Sequence, residues 1–517
     1  MPTPRTMFSG RAWCAAGLLA AALLLLPWPA SQARAGNLAQ RSRRLKVVLV
    51  VFDGLRPDHI TADRMPNLDA LAIRGVRSWQ HHSLFPTVTR VNASALATGT
   101  GPSGHGILDN SIYLPAVADR VLNTGDAPDM LLADSVLGGR LLTAPTIGRR
   151  LQAAGMRMMV ASAGSSGSAY LFAGGAGTPV VNADLVMPAT MDPMVQRVLG
   201  VPPADASPNL GRNAWAVDAL LRVGVDSLDV DVAYLWLSDP DHTAHGAGLG
   251  SAMADSSIRA ADRELGRLLG GLAARGLEQL VNVMVVSDHG FSTHVGDAKS
   301  LRKQLGAFAD SVVIAGSAIH VRHGGAGTRD AVVRALQRWP EAGAIFTAPG
   351  TASGTANGAA SGQGSVSGTI STASIGWQHT RSADVLFSAD WSHATNAAGH
   401  RGDTRQSGVA GHGTSSPYDV TATFVAGGPA FRTGVQASAP SSNADIVPTI
   451  LHLLGRPSAP AGVTGRPLLE LLRRGATAPV AVTRDSVVAE VAGYRTVAYR
   501  TRVQQVWYFD STRTTRR

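Results

Sequence analysis

Three apolar runs in this chain break off at carboxylates. Val47 to Phe52 ends in Asp53-Gly54, Val232 to Leu237 in Ser238-Asp239-Pro240-Asp241, and Val283 to Val286 in Ser287-Asp288-His289. The second leads into Asp241-His242-Thr243-Ala244-His245, where Asp and His four residues apart face the same way on a helical turn. Carboxylate oxygen and imidazole nitrogen, with no thiolate, form a ligand set that suits zinc, with iron and manganese as weaker candidates. A lone Asp-x-x-x-His is usually a surface pair. Three strand-end carboxylates with interleaved histidines point instead to a metal centre.

Such a centre needs a group to act with. Phe85 to Gly99 passes from an extended, proline-containing piece into a helix of small residues and puts Thr89 about where the N-cap belongs. The free N–H groups and dipole of a helix N-terminus favour a developing alkoxide there. On this segment alone, capping the helix is the stronger account of Thr89.

The elements that must position these groups read as short buried strands alternating with helices, the pattern of a parallel-sheet α/β protein. Open parallel sheets bind ligands outside the carboxyl ends of their strands, so three strands deliver Asp53, Asp241 and the Asp288-His289 pair to one edge. Ala252 to Ala274 carries Ile258, Ala261, Leu265, Leu268 and Leu269 at helical spacing, and Thr146 to Ala154 reads as a helix leading into MRMMVASA. From Gly350 to Gly376 the chain turns to Gly, Ser, Ala and Thr, without the Gly-Lys-Ser/Thr ending of a phosphate-binding loop. The expected organisation is a leader over 1–35, a catalytic core over 36–320 and 389–475, an insert or cap over 321–388, and a β-like tail over 476–517.

Of the 517 residues, 45% are hydrophobic and 16% charged, enough for one large core with insertions. Arg5 and Arg11 precede an apolar run from Ala15 to Leu26, and Ala33-Arg34-Ala35 offers a cleavage site before Gly36, the layout of a secretory signal. The run is shorter than the ~20 residues of a membrane span, so export with cleavage, to the periplasm or the exterior, is expected with no stable span afterwards. The one cysteine, Cys14, lies in that leader, which excludes disulfides and thiolate chemistry from the mature chain. The formal charge of +10 is scattered apart from the basic ends, which suits small anionic substrates and carries no sign of specific nucleic-acid binding.

The motifs together resemble the type I phosphodiesterase/nucleotide pyrophosphatase branch of the alkaline phosphatase superfamily. They are Val51-Phe52-Asp53-Gly54-Leu55-Arg56-Pro57-Asp58, Met65-Pro66-Asn67-Leu68, Pro86-Thr87-Val88-Thr89, His105-Gly106-Ile107-Leu108-Asp109-Asn110, Pro240 to Gly246, Ser287-Asp288-His289-Gly290, Gly411-His412-Gly413 and Asp445-Ile446-Val447-Pro448-Thr449. The resemblance implies a three-layer α/β/α sandwich with two divalent ions, usually zinc. It implies one metal on Asp241, His245 and His412 and a second on Asp53, Asp288, His289 and the oxygen of Thr89. His412 is not selectable from fifteen histidines by composition. The resemblance further implies that Thr89 is the nucleophile of a covalent phosphothreonine step and that Asn110 donates to a phosphate oxygen. Related enzymes often read Thr-Phe-Pro-Asn-His here, whereas this chain reads Thr89-Arg90-Val91-Asn92-Ala93, so Arg90 is either a phosphate-binding cation or a structural contact.

The expected function is an exported hydrolase of phosphodiester or nucleotide pyrophosphate bonds acting on small molecules. A phosphate monoesterase is the runner-up; its dianionic substrate calls for extra cations, and no Lys-x-Arg pair follows Leu151, although Arg90 weakens that objection. A sulfatase is disfavoured because Thr89 is neither Cys nor Ser. A non-catalytic metal-binding protein is the rival of another class. Asn92-Ala93-Ser94 matches a glycan acceptor, yet it falls within the helix that Thr89 opens.

Overall fold

The computed structural model describes residues 46–175, 177–296, 301–350, 362–476 and 478–517; the expected leader lies outside them. A ten-stranded sheet runs through the molecule. Its strands are β1 (Lys46–Phe52), β2 (Val76–His82), β3 (Met158–Ser162), β4 (Val180–Asn182), β5 (Leu185–Met187), β6 (Val232–Leu237), β7 (Val281–Val286), β8 (Thr421–Gly427), β9 (Val435–Ala437) and β10 (Ser441–Ser442). The order is β9-β2-β8-β7-β1-β6-β3-β4-β5, with β10 alongside β2.

Strand β1 sits between β6 and β7, parallel to both, with Val51 opposite Trp236 and Val286. All three strands therefore end at one level, and the residues that follow emerge side by side. Strand β8 runs antiparallel to both β7 and β2. Its start, not its end, lies at that edge, and so the segment preceding Thr421 is brought there too.

Why β1 is almost wholly apolar follows from its burial on both faces. Val48, Val50 and Phe52 face a layer containing Leu68, Leu220 and Leu265, whereas Val47, Leu49 and Val51 face one containing Leu96, Phe172 and Ile450. The period-two alternation of side chains thus distributes one strand between two cores, giving a sheet with helices on each side. In the first layer, a helix over Ala252–Ala274 is capped by Ser251 Oγ, which accepts from Ala254 N at 3.1 Å, and buries Ile258, Ala261, Leu265, Leu268 and Leu272. The spacing of three and four residues makes that stripe, and Leu269 lies only partly covered beside it. Thr146 caps the helix over Ile147–Ala153 ahead of β3, as its sequence suggests.

A five-stranded sheet is built from Val312–Ala315, Ala318–Val321, Ala342–Thr347, Ile370–Ser371 and Val385–Ala389, with a helix over Gly325–Gln337. It thus takes in strands ahead of residue 321 as well as the stretch expected as an insert. Part of the Gly/Ser-rich run, 351–361, lies outside the described residues, while its remainder contains a short strand and a turn over Thr372–Ile375. The tail forms a three-stranded antiparallel sheet over Val482–Val491, Tyr494–Val503 and Val506–Arg516. Among the described residues no helix is long and apolar enough to cross a membrane.

Candidate active site and metal centre

Asp53 leaves β1 and is followed by Gly54 at φ +68°, where a Cβ would stand 3.0 Å from that of Asp241. Glycine lets the chain turn there while Asp241, on a helix over Asp241–Ala247 after β6, comes close. The backbone N–H of Asp241 donates to Asp53 O at 3.1 Å, and that of Gly54 to Asp288 Oδ1 at 3.0 Å. His245 shares one face of its helix with Asp241, its Nε2 3.2 Å from Asp241 Oδ1. The other two histidines flank a pair of antiparallel strands, His289 ahead of Ser292–His294 and His412 after Ala410–Gly411; Ser292 lies opposite Gly411, and the two rings stack with centroids 3.5 Å apart. Gly411 is required by this approach, since a Cβ would lie 2.6 Å from the His294 ring and 3.2 Å from that of His245.

Two ligand groups result, Asp241 with His245 and His412, and Asp53 with Asp288 and His289, each with its ligand atoms within 4.8 Å of one another. His412 Nε2 is 3.3 Å from Asp241 Oδ1, and His289 Nε2 is 3.1 Å from Asp288 Oδ2 and 3.5 Å from Asp53 Oδ1. In all three histidines Nδ1 faces a carbonyl: Gly290 O at 2.9 Å for His289, Ala410 O at 3.0 Å for His245, and Thr87 O at 2.8 Å for His412. A ring that donates from Nδ1 presents a lone pair at Nε2, the tautomer of a metal ligand.

Those lone pairs meet buried carboxylate oxygens that have no hydrogen-bond partner, Asp53 Oδ1, Asp241 Oδ1 and Asp288 Oδ2. Buried acceptors are ordinarily satisfied, so three orphans facing three imidazole lone pairs fit cations. Without a cation, protons must take up the charge. Burial, then the neighbouring Asp288 and Asp241, raises the Asp53 carboxyl well above its ordinary range. Burial also opposes charge on Asp241, but His245 and His412 draw it well below that range. Against burial, Asp288 pushes the His289 imidazole up to about 9, and Asp241 likewise raises His245. Burial and the adjacent His289 lower His412.

Thr89 is the first residue of a helix over Thr89–Thr98, with extended Val88 at the N-cap, so it lies one position inside the expected cap. Its Oγ1 is 3.3 Å from His289 Nε2, which joins it to the second ligand group. Asn92, three residues on, is fully buried; its amide donates to Leu84 O, and its oxygen accepts from Leu84 N and from Asn443. A glycan has no room there. Asn110 Oδ1 accepts from Arg90 N at 3.1 Å, fixing Asn110 against the helix start. The Asp109 carboxylate supports it by accepting from Asn110 N, Ser317 N and Ser317 Oγ. The Arg90 guanidinium lines a cleft of ≈ 400 Å³ together with Thr89, Asp53 and Asp241, and its Nη2 donates to Ser165 Oγ at 3.0 Å.

Two supporting groups went unrecognised in the sequence. Trp236 donates from Nε1 to Asp53 Oδ2 at 3.0 Å, yet within VAYLWL it is one apolar strand residue among six. Asn443 donates to Asp288 O at 2.9 Å from just before the Asp445 motif, and only that proximity marked it. Outside the two groups, His81 binds Ser441 and Asn443, and His82 binds Asp510. His294 Nδ1 faces Ser407 O at 2.9 Å.

Residues 47–346 match the family model described as type I phosphodiesterase/nucleotide pyrophosphatase. The venom phosphodiesterase of Macrovipera lebetinus is 26% identical over 249 residues, 47% of this chain and 25% of that protein. Ectonucleotide pyrophosphatase/phosphodiesterase family member 7 of Rattus norvegicus is 25% identical over 289 residues, 53% of this chain and 56% of that protein. The chain thus spans a quarter to about half the length of these relatives. Among solved structures, murine ectonucleotide pyrophosphatase/phosphodiesterase 5, an inactive variant in complex with AMP, shares the fold with a TM-score of 0.56. Its identity is 20%, covering 83% of this chain and 100% of that one.

Proposed function

The chain belongs to the type I phosphodiesterase/nucleotide pyrophosphatase family, and from that membership we propose that it is an exported, two-metal hydrolase of phosphodiester or nucleotide pyrophosphate bonds. The observation that carries the reading is Thr89 Oγ1 beside His289, at a helix start, within a cluster of orphaned carboxylate oxygens. Asp241, His245 and His412 would hold one ion and Asp53, Asp288, His289 and Thr89 Oγ1 the other. The nitrogen and oxygen donor set favours zinc. Bound there, the ions would supply Lewis acidity toward the phosphoryl oxygens and lower the pKa of a ligated hydroxyl.

The protein's own groups define the rest. Thr89 Oγ1 forms a bond to phosphorus as the ester oxygen of one alcohol leaves and takes up a proton. Water then displaces the threonine oxygen from phosphorus, releasing the monoester and restoring the hydroxyl. Asn110, braced by Asp109, is the donor to a non-bridging oxygen, and Arg90 offers positive charge from the cleft wall. Export is supported by the leader-like first 35 residues and by relatives named as venom and ecto-enzymes.

The guanidinium of Arg90 in the cleft favours one second reading, a monoesterase on the same fold, because a dianion gains more from that charge. Initial rates on bis(p-nitrophenyl) phosphate, p-nitrophenyl phosphate and a dinucleotide, with and without chelator, separate the two. The diester and dinucleotide are expected to turn over faster, with loss on chelation; a faster monoester overturns the diesterase reading. Thr89→Ala is expected to lower kcat by about 10³-fold or more while metal content falls by less than half. Full activity in that variant removes the covalent step, and no turnover by metal-loaded protein favours a binding protein.

A further inference from the structure

The cleft beside Thr89 has a wall that the metal chemistry does not use. Asp184, on the turn between β4 and β5, Asp205 and Asn209, ahead of a helix over Leu210–Asp218, and Arg212, in that helix's first turn, line it along with Arg90. Arg212 forks onto Asp184, with Nη1 to Oδ2 at 2.7 Å and Nη2 to Oδ1 at 3.3 Å, and its Nε lies 4.0 Å from Asp205 Oδ1. His242 Nε2 lies 3.7 Å from Asp205 Oδ2. Asn209 is 1% exposed; its Nδ2 donates to Asp205 Oδ1 at 3.0 Å and to Ser238 Oγ at 3.1 Å. That leaves Asn209 Oδ1 buried with no partner, and flipping the amide would set oxygen against carboxylate.

Among the described residues lining this cleft there is no Phe, Tyr or Trp, and the one apolar side chain is Ala163. A nucleobase gains its affinity from stacking and apolar contact, which this wall does not offer. Both wall carboxylates are engaged within the wall, Asp184 by the Arg212 fork and Asp205 by Asn209 with Arg212 and His242 nearby, so neither stands as a free charge to select a cation. What the wall does offer is fixed acceptors next to fixed donors, the complement of adjacent hydroxyl groups, each of which donates and accepts. An arm without hydroxyls leaves these donors and acceptors unmatched when it displaces water from them, so the wall discriminates for a hydroxyl-bearing arm.

We propose that the ester arm held in this cleft is a small uncharged polyol, glycerol-like, rather than a nucleoside. This rests on the phosphodiesterase reading above and names its substrate class. The test compares p-nitrophenyl phosphodiesters bearing methyl, glyceryl or thymidinyl arms on metal-loaded full-length protein, so that the leaving group is constant. The glyceryl ester is expected to exceed the methyl ester in kcat/KM by about tenfold or more, and the thymidinyl ester to gain nothing over methyl. In Arg212→Met and Asp184→Asn, checked for fold by circular dichroism and for metal content, the glyceryl-to-methyl ratio is expected to fall toward one. A thymidinyl preference, equal rates for glyceryl and methyl esters, or a glyceryl preference that survives both substitutions overturns the proposal. If none of the esters is hydrolysed, the phosphodiesterase reading fails and takes the proposal with it.

Discussion

Replacing Trp236 with phenylalanine tests whether the proposed metal centre is tuned from within the sheet. The indole Nε1–H donates to Asp53 Oδ2 at 3.0 Å, while the other oxygen, Oδ1, is the orphan that faces His289. Phenylalanine keeps an aromatic ring against Phe172, whose centroid is 5.0 Å from that of Trp236, but removes the donor. Losing a hydrogen bond to a charged, buried acceptor costs about 1.5–3 kcal/mol, and partners of metal ligands typically contribute 10–100-fold to metal affinity. Chelator competition should therefore show affinity at the Asp53 group weakened by roughly 10–100-fold, with activity recovered when metal is raised by the same factor. Emptying part of the indole's volume will also lower thermal stability, on the order of 1–2 kcal/mol. Leu265→Ala, in the opposite core layer on the Ala252–Ala274 helix, supplies the control: a loss of about 2–5 kcal/mol in denaturant unfolding with metal affinity unchanged. If Trp236→Phe behaves like Leu265→Ala, losing stability but no affinity, then the hydrogen bond to Asp53 is structural decoration and the reasoning fails.

Arg90→Met should raise KM more for a phosphate monoester than for a diester, by about tenfold against a few-fold, because the dianion loses more Coulomb attraction; steady-state kinetics on both esters decides it. Gly411→Ala should drive a methyl group into the His294 and His245 rings and loosen the Asp241 ligand group. About one of two bound metal equivalents is then expected to become labile to chelator, read by elemental analysis after dialysis. Metal binding should release protons and strengthen as pH rises toward 9, since His289 holds its proton up to about 9 in the metal-free protein; calorimetry in buffers of different ionisation enthalpy measures the release. For the metal-free protein the sign is opposite. The raised His289 value stabilises it below about pH 6.5 and is lost as pH climbs through 9, so its melting temperature should fall over that interval while the gap to metal-loaded protein widens.

How much of this was legible in the sequence depended on what kind of element carried each residue. Asp53, Asp241, Asp288 and His289 stood out because parallel strands buried on both faces are unbroken apolar runs, and a run that stops at a carboxylate marks the sheet's functional edge. His412 did not, because it reaches that edge ahead of β8, the strand that runs the other way; a rule about strand ends looks past it, and only the resemblance picked it out. Trp236 was hidden for a third reason: within a strand, a side chain that packs and one that also donates a hydrogen bond are spelled by the same letter. The cleft wall is the extreme case. Asp184, Asp205, Asn209 and Arg212 come from a turn, an irregular segment, a helix N-cap and a helix's first turn, and no single period of two or 3.6 relates them to one another. Chemistry anchored to the sheet edge is therefore readable from the order of residues, whereas a cleft wall assembled from separate segments becomes readable only when the fold brings those segments together beside Thr89.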